Sequence, residues 1–334
     1  MHYVIVSVIL PFYNAKTTLE RAVQSIIRQT FKDFELILVN NNSDDGSLKI
    51  IEKLVQTDSR IRLFNESRQG VVFAANTGMR AAKGKYIARM DADDIAHPER
   101  LALQLKHLED TPHISISATQ VNYKSEQTDL KDFNHFVNWS NSLKTWEEIY
   151  NNRFVEFPVV NPTLMFRKST LEHIGYLEEG DFPEDYEWFL RAMAKGHQIE
   201  KLTTPLLDWS DSDLRLTRID RRYRTEAFFQ IKTKYLAEYL KAIDRTRVWI
   251  WGAGKLGYKR SQWLQEHAIE IEGYIDIKKN KRLKNYPCIH FEDIHLTEQS
   301  FVLSYITNRN RRNEVRDFLC QKNYQEGKSY IIAG

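Results

Sequence analysis

The chain has 334 residues, 42% of them hydrophobic and 28% charged, with 48 Lys or Arg against 45 Asp or Glu. That length is ample for a full α/β core and a second small domain, and a net charge of only +3 gives no general surface for nucleic acid. The two cysteines, Cys288 and Cys320, lie far apart without metal-ligand spacing, which points to reduced thiols in a cytoplasmic setting.

Residues 1–10 are apolar but meet Pro11 too soon to span a bilayer, and they lack the cationic start of a signal peptide. They read as a first core strand, residues 4–10, leading into the loop Pro11-Phe12-Tyr13-Asn14. Leu19, Val23, Ile26 and Ile27 recur at helical spacing, and residues 35–39 form a second apolar strand. That strand empties into the polar run Asn40-Asn41-Asn42-Ser43-Asp44-Asp45-Gly46-Ser47, which by itself is a turn. A helix at 50–55, a strand at 60–64 and a helix at 70–82 follow; the last has a small apolar face of Val71, Ala74, Ala75, Gly78 and Ala82. Gly84 is placed to cap it.

Residues 86–90 are a buried strand that ends in Asp91-Ala92-Asp93-Asp94. Taken alone, the run is either an acidic turn or a set of carboxylates sharing a cation, for which hard oxygens suit Mg²⁺ or Mn²⁺. Strand, helix, strand, helix, strand, helix, strand in under one hundred residues is the pattern of a mostly parallel sheet covered on both faces. Its strand-end loops then line one edge, where such sheets place ligands.

Pro98 opens the next helix, with Leu101, Leu105 and Leu108 on one face, and residues 114–123 return to strand character. From there to residue 152 Phe133, Phe136, Trp139 and Trp146 are scattered among polar residues, a pattern that fits loops over an acceptor cleft or ordinary aromatic packing. A strand at 159–166 and a short helix ended by Gly175 precede Glu184-Asp185-Tyr186-Glu187-Trp188. Those acids sit at a helix N-terminus, where free N–H groups and the dipole stabilise carboxylates.

With Pro11-Phe12-Tyr13-Asn14, the 41–47 loop, Asp91-Ala92-Asp93-Asp94 and Glu184-Asp185 in this order, the chain resembles the family 2 glycosyltransferases of the GT-A fold over about its first 210 residues. Gly70, Ala75-Asn76-Thr77-Gly78 and Ala82-Lys83-Gly84 match much of the family's further progression. The resemblance implies a nucleoside diphosphate sugar donor, with Pro11, Tyr13 and Asn14 beside the base. It also implies Mg²⁺ or Mn²⁺ held by Asp93, with Asp91 on the ribose or reaching the metal through water. Asp185 would be the general base of an inverting transfer, with Glu184 supporting the loop or the acceptor. Such enzymes act on glycan or lipid-linked acceptors in surface polysaccharide or lipooligosaccharide synthesis. One departure stands out: the family's acid pair after the second strand is Asn40-Asn41 here. Asn41 can accept a hydrogen bond from the base only without charge assistance, and its amide can also donate, so the base is left open; what is common in the family puts a uridine diphosphate sugar first, with thymidine and guanosine donors retained. The Asn pair also keeps open a nonenzymatic sugar-nucleotide-binding or scaffolding protein. Arg68, Arg89 and Arg191 are candidate cations assigned no catalytic part.

Residues 202–209 read as a return to the sheet, and 211–245 as a basic helical segment; between 215 and 247 there are ten Lys or Arg and four Asp or Glu. That segment packs on a domain or makes a peripheral contact with the cytoplasmic face of a membrane. Residues 248–251 then run into Gly252-Ala253-Gly254-Lys255-Leu256-Gly257, a G-x-G-x-x-G between strand and helix, and a second strand ends at Asp276. The expected division is 1–210 catalytic, 211–245 helical and 246–334 a small Rossmann-like domain. The last resembles the sugar-nucleotide-binding domains of some bacterial sugar acyltransferases, which makes Gly252, Gly254, Gly257 and Asp276 possible nucleotide contacts. Oligomeric state is left open.

Overall fold

The structure, a computed structural model, describes residues 4–125, 131–211, 215–283, 285–295 and 300–334. The chain forms two compact units: residues 1–149, 159–180 and 184–220 make the first, and 150–158, 181–183 and 221–334 the second.

The first unit begins with the expected alternation: β1 (Val6–Phe12), α1 (Leu19–Ile27), β2 (Phe34–Asn40), α2 (Ser47–Val55), β3 (Ile61–Asn65), α3 (Val71–Ala81) and β4 (Tyr86–Arg89). These four strands are parallel in the order β3-β2-β1-β4. Val6, Val8, Ile9 and Leu10 are fully buried, as a strand covered on both faces requires. Gly78 lets α3 lie against this sheet, since a Cβ there would come within 2.5 Å of Ile9 Cγ2. Gly84 is not a helix cap. It passes so close to β1 that a Cβ would meet the Ser7 nitrogen at 2.7 Å, and its N–H donates to Ser7 Oγ at 2.8 Å.

The sheet continues through β5 (Ile95–Ala96), β6 (Ile114–Lys124), β7 (Met165–Arg167) and β8 (Gln198–Ser210), reaching eight strands in the order β3-β2-β1-β4-β7-β6-β8-β5. Strand β7 runs antiparallel to β4 and β6. The strand expected at 159–166 is shorter because Asn161–Thr163 form a 3₁₀ turn. Pro162 has no N–H for a ladder there, and Thr163 Oγ1 donates back to the Val160 carbonyl at 2.6 Å. Helices α4 (Arg100–Asp110), α5 (Lys131–Ser142), α6 (Trp146–Asn152), α7 (Lys168–Ile174), α8 (Glu184–Ala194) and α9 (Leu216–Ile219) complete the run to residue 220.

Loops were expected over residues 124–152, and α5 and α6 correct that reading. Phe133, Phe136, Val137 and Ser140 share one helical face, and Phe133 and Phe136 pack with Tyr123 and Trp209 at ring separations of 6.0–6.3 Å. These aromatics are packing residues in the first unit.

In the second unit α10 (Thr225–Ala242) precedes a five-stranded parallel sheet made of β9 (Arg247–Trp251), β10 (Glu270–Asp276), β11 (Cys288–His290), β12 (Phe301–Ser304) and β13 (Tyr330–Ile332). Helices α11 (Lys255–Glu266) and α12 (Arg309–Gln321) join its strands. The spatial order is β11-β10-β9-β12-β13, the doubly wound arrangement. Residues 215–247 are helical in pieces: α9 and a 3₁₀ turn at Arg221–Tyr223 precede α10. Phe229, Ile231, Tyr235, Leu236 and Leu240 of α10 are buried. Among the described residues no helix is long and apolar enough to cross a membrane.

Candidate active site

The carboxyl ends of β1, β2, β3 and β4 lie side by side in the parallel part of the first sheet, so their loops meet along one edge. The loops after β1 and β2 are stitched together by side chains of the polar run. Asn14 Nδ2 donates to Asp44 Oδ1 at 2.8 Å, and the Asp44 N–H returns to Asn14 Oδ1 at 2.9 Å. The Ala15 and Lys16 amides donate to Ser47 Oγ and Asp45 Oδ2. Asn14 has φ 46°, a left-handed conformation that Asn tolerates better than most residues. Tyr13, 53% exposed, stands at the rim with its ring free for a flat partner, whereas Pro11 is half-buried within β1.

Asn41 is 3% exposed, and its amide is already engaged. Nδ2 donates to the carbonyls of Glu66 at 3.0 Å and Arg68 at 2.7 Å, and Oδ1 accepts from the Gly70 N–H at 2.8 Å. Its shape-fixing duty is therefore to hold the 66–70 turn. Restoring an acid here should be costly: Asn41→Asp would set a carboxylate oxygen against two carbonyl oxygens, with an expected loss of about 1–3 kcal/mol. The check is the calorimetric unfolding midpoint at neutral pH, which should fall by several degrees.

Glu66, which the sequence reading passed over, is the acid of this corner. Hydrogen bonds from the Arg68 guanidinium and the Thr77 hydroxyl hold its carboxyl down at about 2. Arg68 is thus occupied by Glu66 and by the Phe73 ring, 4.5 Å from its guanidinium carbon. Arg191 is likewise tied to Glu187 at 2.8 Å.

At the end of β4 the three acids differ in setting. Asp91 and Asp93 are half-buried, while Asp94 is 1% exposed. Asp94 Oδ1 accepts from the Ser210 N–H at 2.8 Å, and Oδ2 is buried without a hydrogen-bond partner. Burial, then Asp93 and Asp91, push the Asp94 carboxyl well above its ordinary value; burial and Asp91 also raise Asp93. At the start of α8, Glu184 is buried, and Asp185 Oδ1 accepts from the Tyr186 N–H at 2.7 Å. Burial, then Glu184, push Asp185 up to about 8, and Asp91 adds to the rise. Asp185 keeps part of its surface open. The charge of Asp91 acts on both Asp93 and Asp185. The acids of β4 and α8 therefore share one electrostatic site.

Two cations serve these acids. Arg100, the first residue of α4, is completely buried; it donates to the carbonyls of Arg89 at 2.7 Å and Pro162 at 2.6 Å and to Gln104 Oε1 at 3.0 Å. Burial lowers it to about 10 against the opposing pull of Asp94 and Asp91. It braces the end of β4 from within the core. Arg215 lies beyond β8, its guanidinium carbon 4.0 Å from the Trp209 ring centre and Nη1 3.9 Å from Asp211 Oδ1. Its charge lowers both Asp93 and Asp94. Nη1 is buried without a hydrogen-bond partner, so a donor remains for a ligand oxygen. Arg89 is buried in β4, directly before the turn, and does not stand among the exposed loop residues. Neither Arg100 nor Arg215 stood out in sequence; the one visible signal was an arginine soon after the aromatic end of the last long strand.

Carboxylates that raise one another, one with an orphaned oxygen, fit a divalent cation that brings its remaining ligands from water and substrate. Among the described residues no three His, Cys, Asp or Glu side chains converge into a closed metal cage. Elsewhere, Asp276 Oδ2 binds Lys281 Nζ at 2.6 Å, and Gly257 packs under Gly252, where a Cβ would meet the Gly252 carbonyl oxygen at 1.9 Å. Nothing would obstruct a Cβ on Gly254.

The bifunctional glycosyltransferase pgtA of Dictyostelium discoideum is 34% identical over 247 residues, covering 61% of this chain and 32% of that protein. The chain thus spans about a third of that relative. The uncharacterized glycosyltransferase MJ1057 of Methanocaldococcus jannaschii is 30% identical over 237 residues, 69% of this chain and 79% of that protein. Among solved structures, S. aureus TarS 1-349 in complex with UDP-GlcNAc superimposes with a TM-score of 0.58 at 18% identity, covering 79% of this chain and 71% of that one. The mostly parallel sheet, with β5 and β7 antiparallel to their neighbours, is the GT-A fold. Residues 7–175 match the family described as glycosyl transferase family 2, and the chain belongs to that family.

Proposed function

We propose that the chain transfers a sugar from a nucleoside diphosphate donor, a uridine diphosphate sugar first, to a hydroxyl of a glycan or lipid-linked acceptor, with inversion at the anomeric carbon. The observation that carries this reading is the field of Asp91 acting on both Asp93 and Asp185. It is what one crevice holding the leaving diphosphate and the attacking hydroxyl requires. TarS, whose fold this chain shares, was crystallised with UDP and with UDP-GlcNAc, and that supports testing uridine donors before thymidine or guanosine ones.

Asp185 takes the proton of the acceptor hydroxyl as its oxygen bonds to the anomeric carbon and the bond to the β-phosphate breaks. Attack from the face opposite the diphosphate converts an α-linked donor into a β-linked product. Glu184 supports this residue from the same helix turn. Mg²⁺ or Mn²⁺, held by Asp93 with Asp91 through water, would supply positive charge to the leaving diphosphate. Tyr13 offers a ring face to the base, Pro11 and Asn14 shape the base pocket, and Asn41 keeps the opposite wall in place. Arg215, whose charge acts on Asp93 and Asp94, serves the leaving diphosphate. Arg215→Gln should reduce kcat/KM by about 10–100-fold, because a charge-assisted contact to the leaving group is lost. Steady-state kinetics at saturating acceptor would reveal it.

The test of the reading as a whole is turnover of a panel of nucleotide sugars with Mn²⁺ and with EDTA. Metal-stimulated release of the nucleoside diphosphate from one donor is expected. Failure of every donor, with acceptor mixtures supplied, would overturn it.

A further inference from the structure

The second unit carries a buried group of cations that its own acids do not match. Lys232 on α10, Arg260 on α11 and Arg312 on α12 are 3%, 4% and 8% exposed. Lys232 Nζ donates to the Ala333 carbonyl at 3.0 Å and the Val155 carbonyl at 3.3 Å, and lies 3.7 Å from the Phe229 ring centre. The Arg260 guanidinium carbon sits 3.3 Å from the same ring centre, and Arg312 Nη2 donates to the Thr307 carbonyl at 2.7 Å. Among the described residues, the acids that act on this group are Glu156, on Lys232 and Arg312, and Glu226, on Arg260. Both have largely open side chains, with Arg309 and Lys259 as their own partners. Burying cations without buried counter-charge is expensive, and proteins pair such groups or neutralise them. Burial, then Arg260 and Arg312, drive Lys232 well below the ordinary lysine value, as mutual repulsion demands.

Two donors in the same place are left over. Among the described residues Arg260 Nη1 and Tyr305 Oη are buried without hydrogen-bond partners, and the Arg260 guanidinium carbon lies 5.8 Å from the Tyr305 ring centre. The topology is independent of these side chains and leads to the same spot. In the order β11-β10-β9-β12-β13 the winding reverses between β9 and β12, and ligands of doubly wound sheets sit at the carboxyl ends of the strands flanking that reversal. Gly252 directly follows β9, Tyr305 directly follows β12, and a Cβ on Gly252 would touch Ile306 at 3.3 Å. A guanidinium fork beside a hydroxyl suits tetrahedral oxyanions.

We propose that the second unit binds a phosphoryl group between Arg260, Tyr305 and Arg312 at the switch point of its sheet, with Lys232 as the charge behind them. The site is built from second-unit residues and does not depend on the reading given to the transferase acids. The phosphoryl group could belong to a free anion or to a nucleotide, and the two sources are separable by titration.

The experiment is calorimetric titration of the full chain in an Asp93→Ala background and in EDTA, which leaves only metal-independent binding at the first unit, using phosphate, pyrophosphate and UMP as probes and counting only the binding that Arg260→Gln weakens. Saturable binding of one equivalent is expected, weakened at least fivefold by Tyr305→Phe and at least tenfold by Arg260→Gln. UMP binding tenfold tighter than phosphate assigns the site to a nucleotide; equal affinity assigns it to the phosphoryl group alone. No saturable binding of any probe, or unchanged affinity in Tyr305→Phe, overturns the proposal. Tyr305→Phe removes a hydroxyl with no hydrogen-bond partner among the described residues, so it is expected to fold, and a purely structural Tyr305 would leave anion affinity untouched.

Discussion

Asp185→Asn is expected to lower the transfer rate by about 10²–10⁴-fold while leaving donor affinity nearly unchanged, because the amide keeps the shape of the carboxyl and cannot take a proton. Binding of the nucleoside diphosphate by calorimetry and turnover of the full donor separate the two effects. Equal loss of both would assign Asp185 to the donor instead. The same variant should be more stable than the parent at alkaline pH. Asp185 is raised to about 8 in the fold, whereas the unfolded carboxyl ionises near its ordinary value. The parent's stability contribution from this group is therefore complete at acid pH and is lost as pH climbs toward 8. Asparagine does not ionise and escapes that loss. Thermal midpoints in EDTA should diverge in favour of Asp185→Asn between pH 5 and pH 8, by an amount on the order of 1–3 kcal/mol. Midpoints that stay parallel would remove the elevated carboxyl from the account.

Asp93→Ala carries the second large effect. If Asp93 is the chief protein ligand, the variant should lose the Mn²⁺-dependent part of donor binding and about 10²–10³-fold in turnover. In EDTA the parent and the variant should bind uridine diphosphate equally weakly. Retained Mn²⁺ stimulation in the variant would move the ligand role to Asp91 or Asp94. Of these, Asp94 has the orphaned oxygen but is the more deeply enclosed.

The strands and helices of the first hundred residues were legible because each β-branched run stops at a polar loop and each helix repeats its apolar residues every three or four positions. The acids were legible because they fall where those runs stop. What escaped was set by tertiary neighbours. The helical face of Phe133, Phe136 and Val137 was masked by intervening polar residues. Arg100 looked like an ordinary first-turn residue after Pro98, and only the structure surrounds it with the carbonyls of Arg89 and Pro162. Asn41 was read as a substitute for an acid. Its three hydrogen bonds to the 66–70 turn depend on residues about 25–29 positions away, which no local pattern encodes. The G-x-G-x-x-G was easy to find, but Arg260 and Arg312 lie outside any motif and owe their importance to what they are buried with.

The route of the chain bears on any attempt to dissect the protein. Residues 150–158 and 181–183 belong to the second unit although first-unit sequence flanks them on both sides. The polypeptide thus changes allegiance five times, and the second of the two early excursions ends at the peptide bond preceding Glu184. No single scission separates the halves: wherever the backbone is severed, one fragment keeps a stretch that belongs to the other, so excising either half calls for grafting rather than trimming.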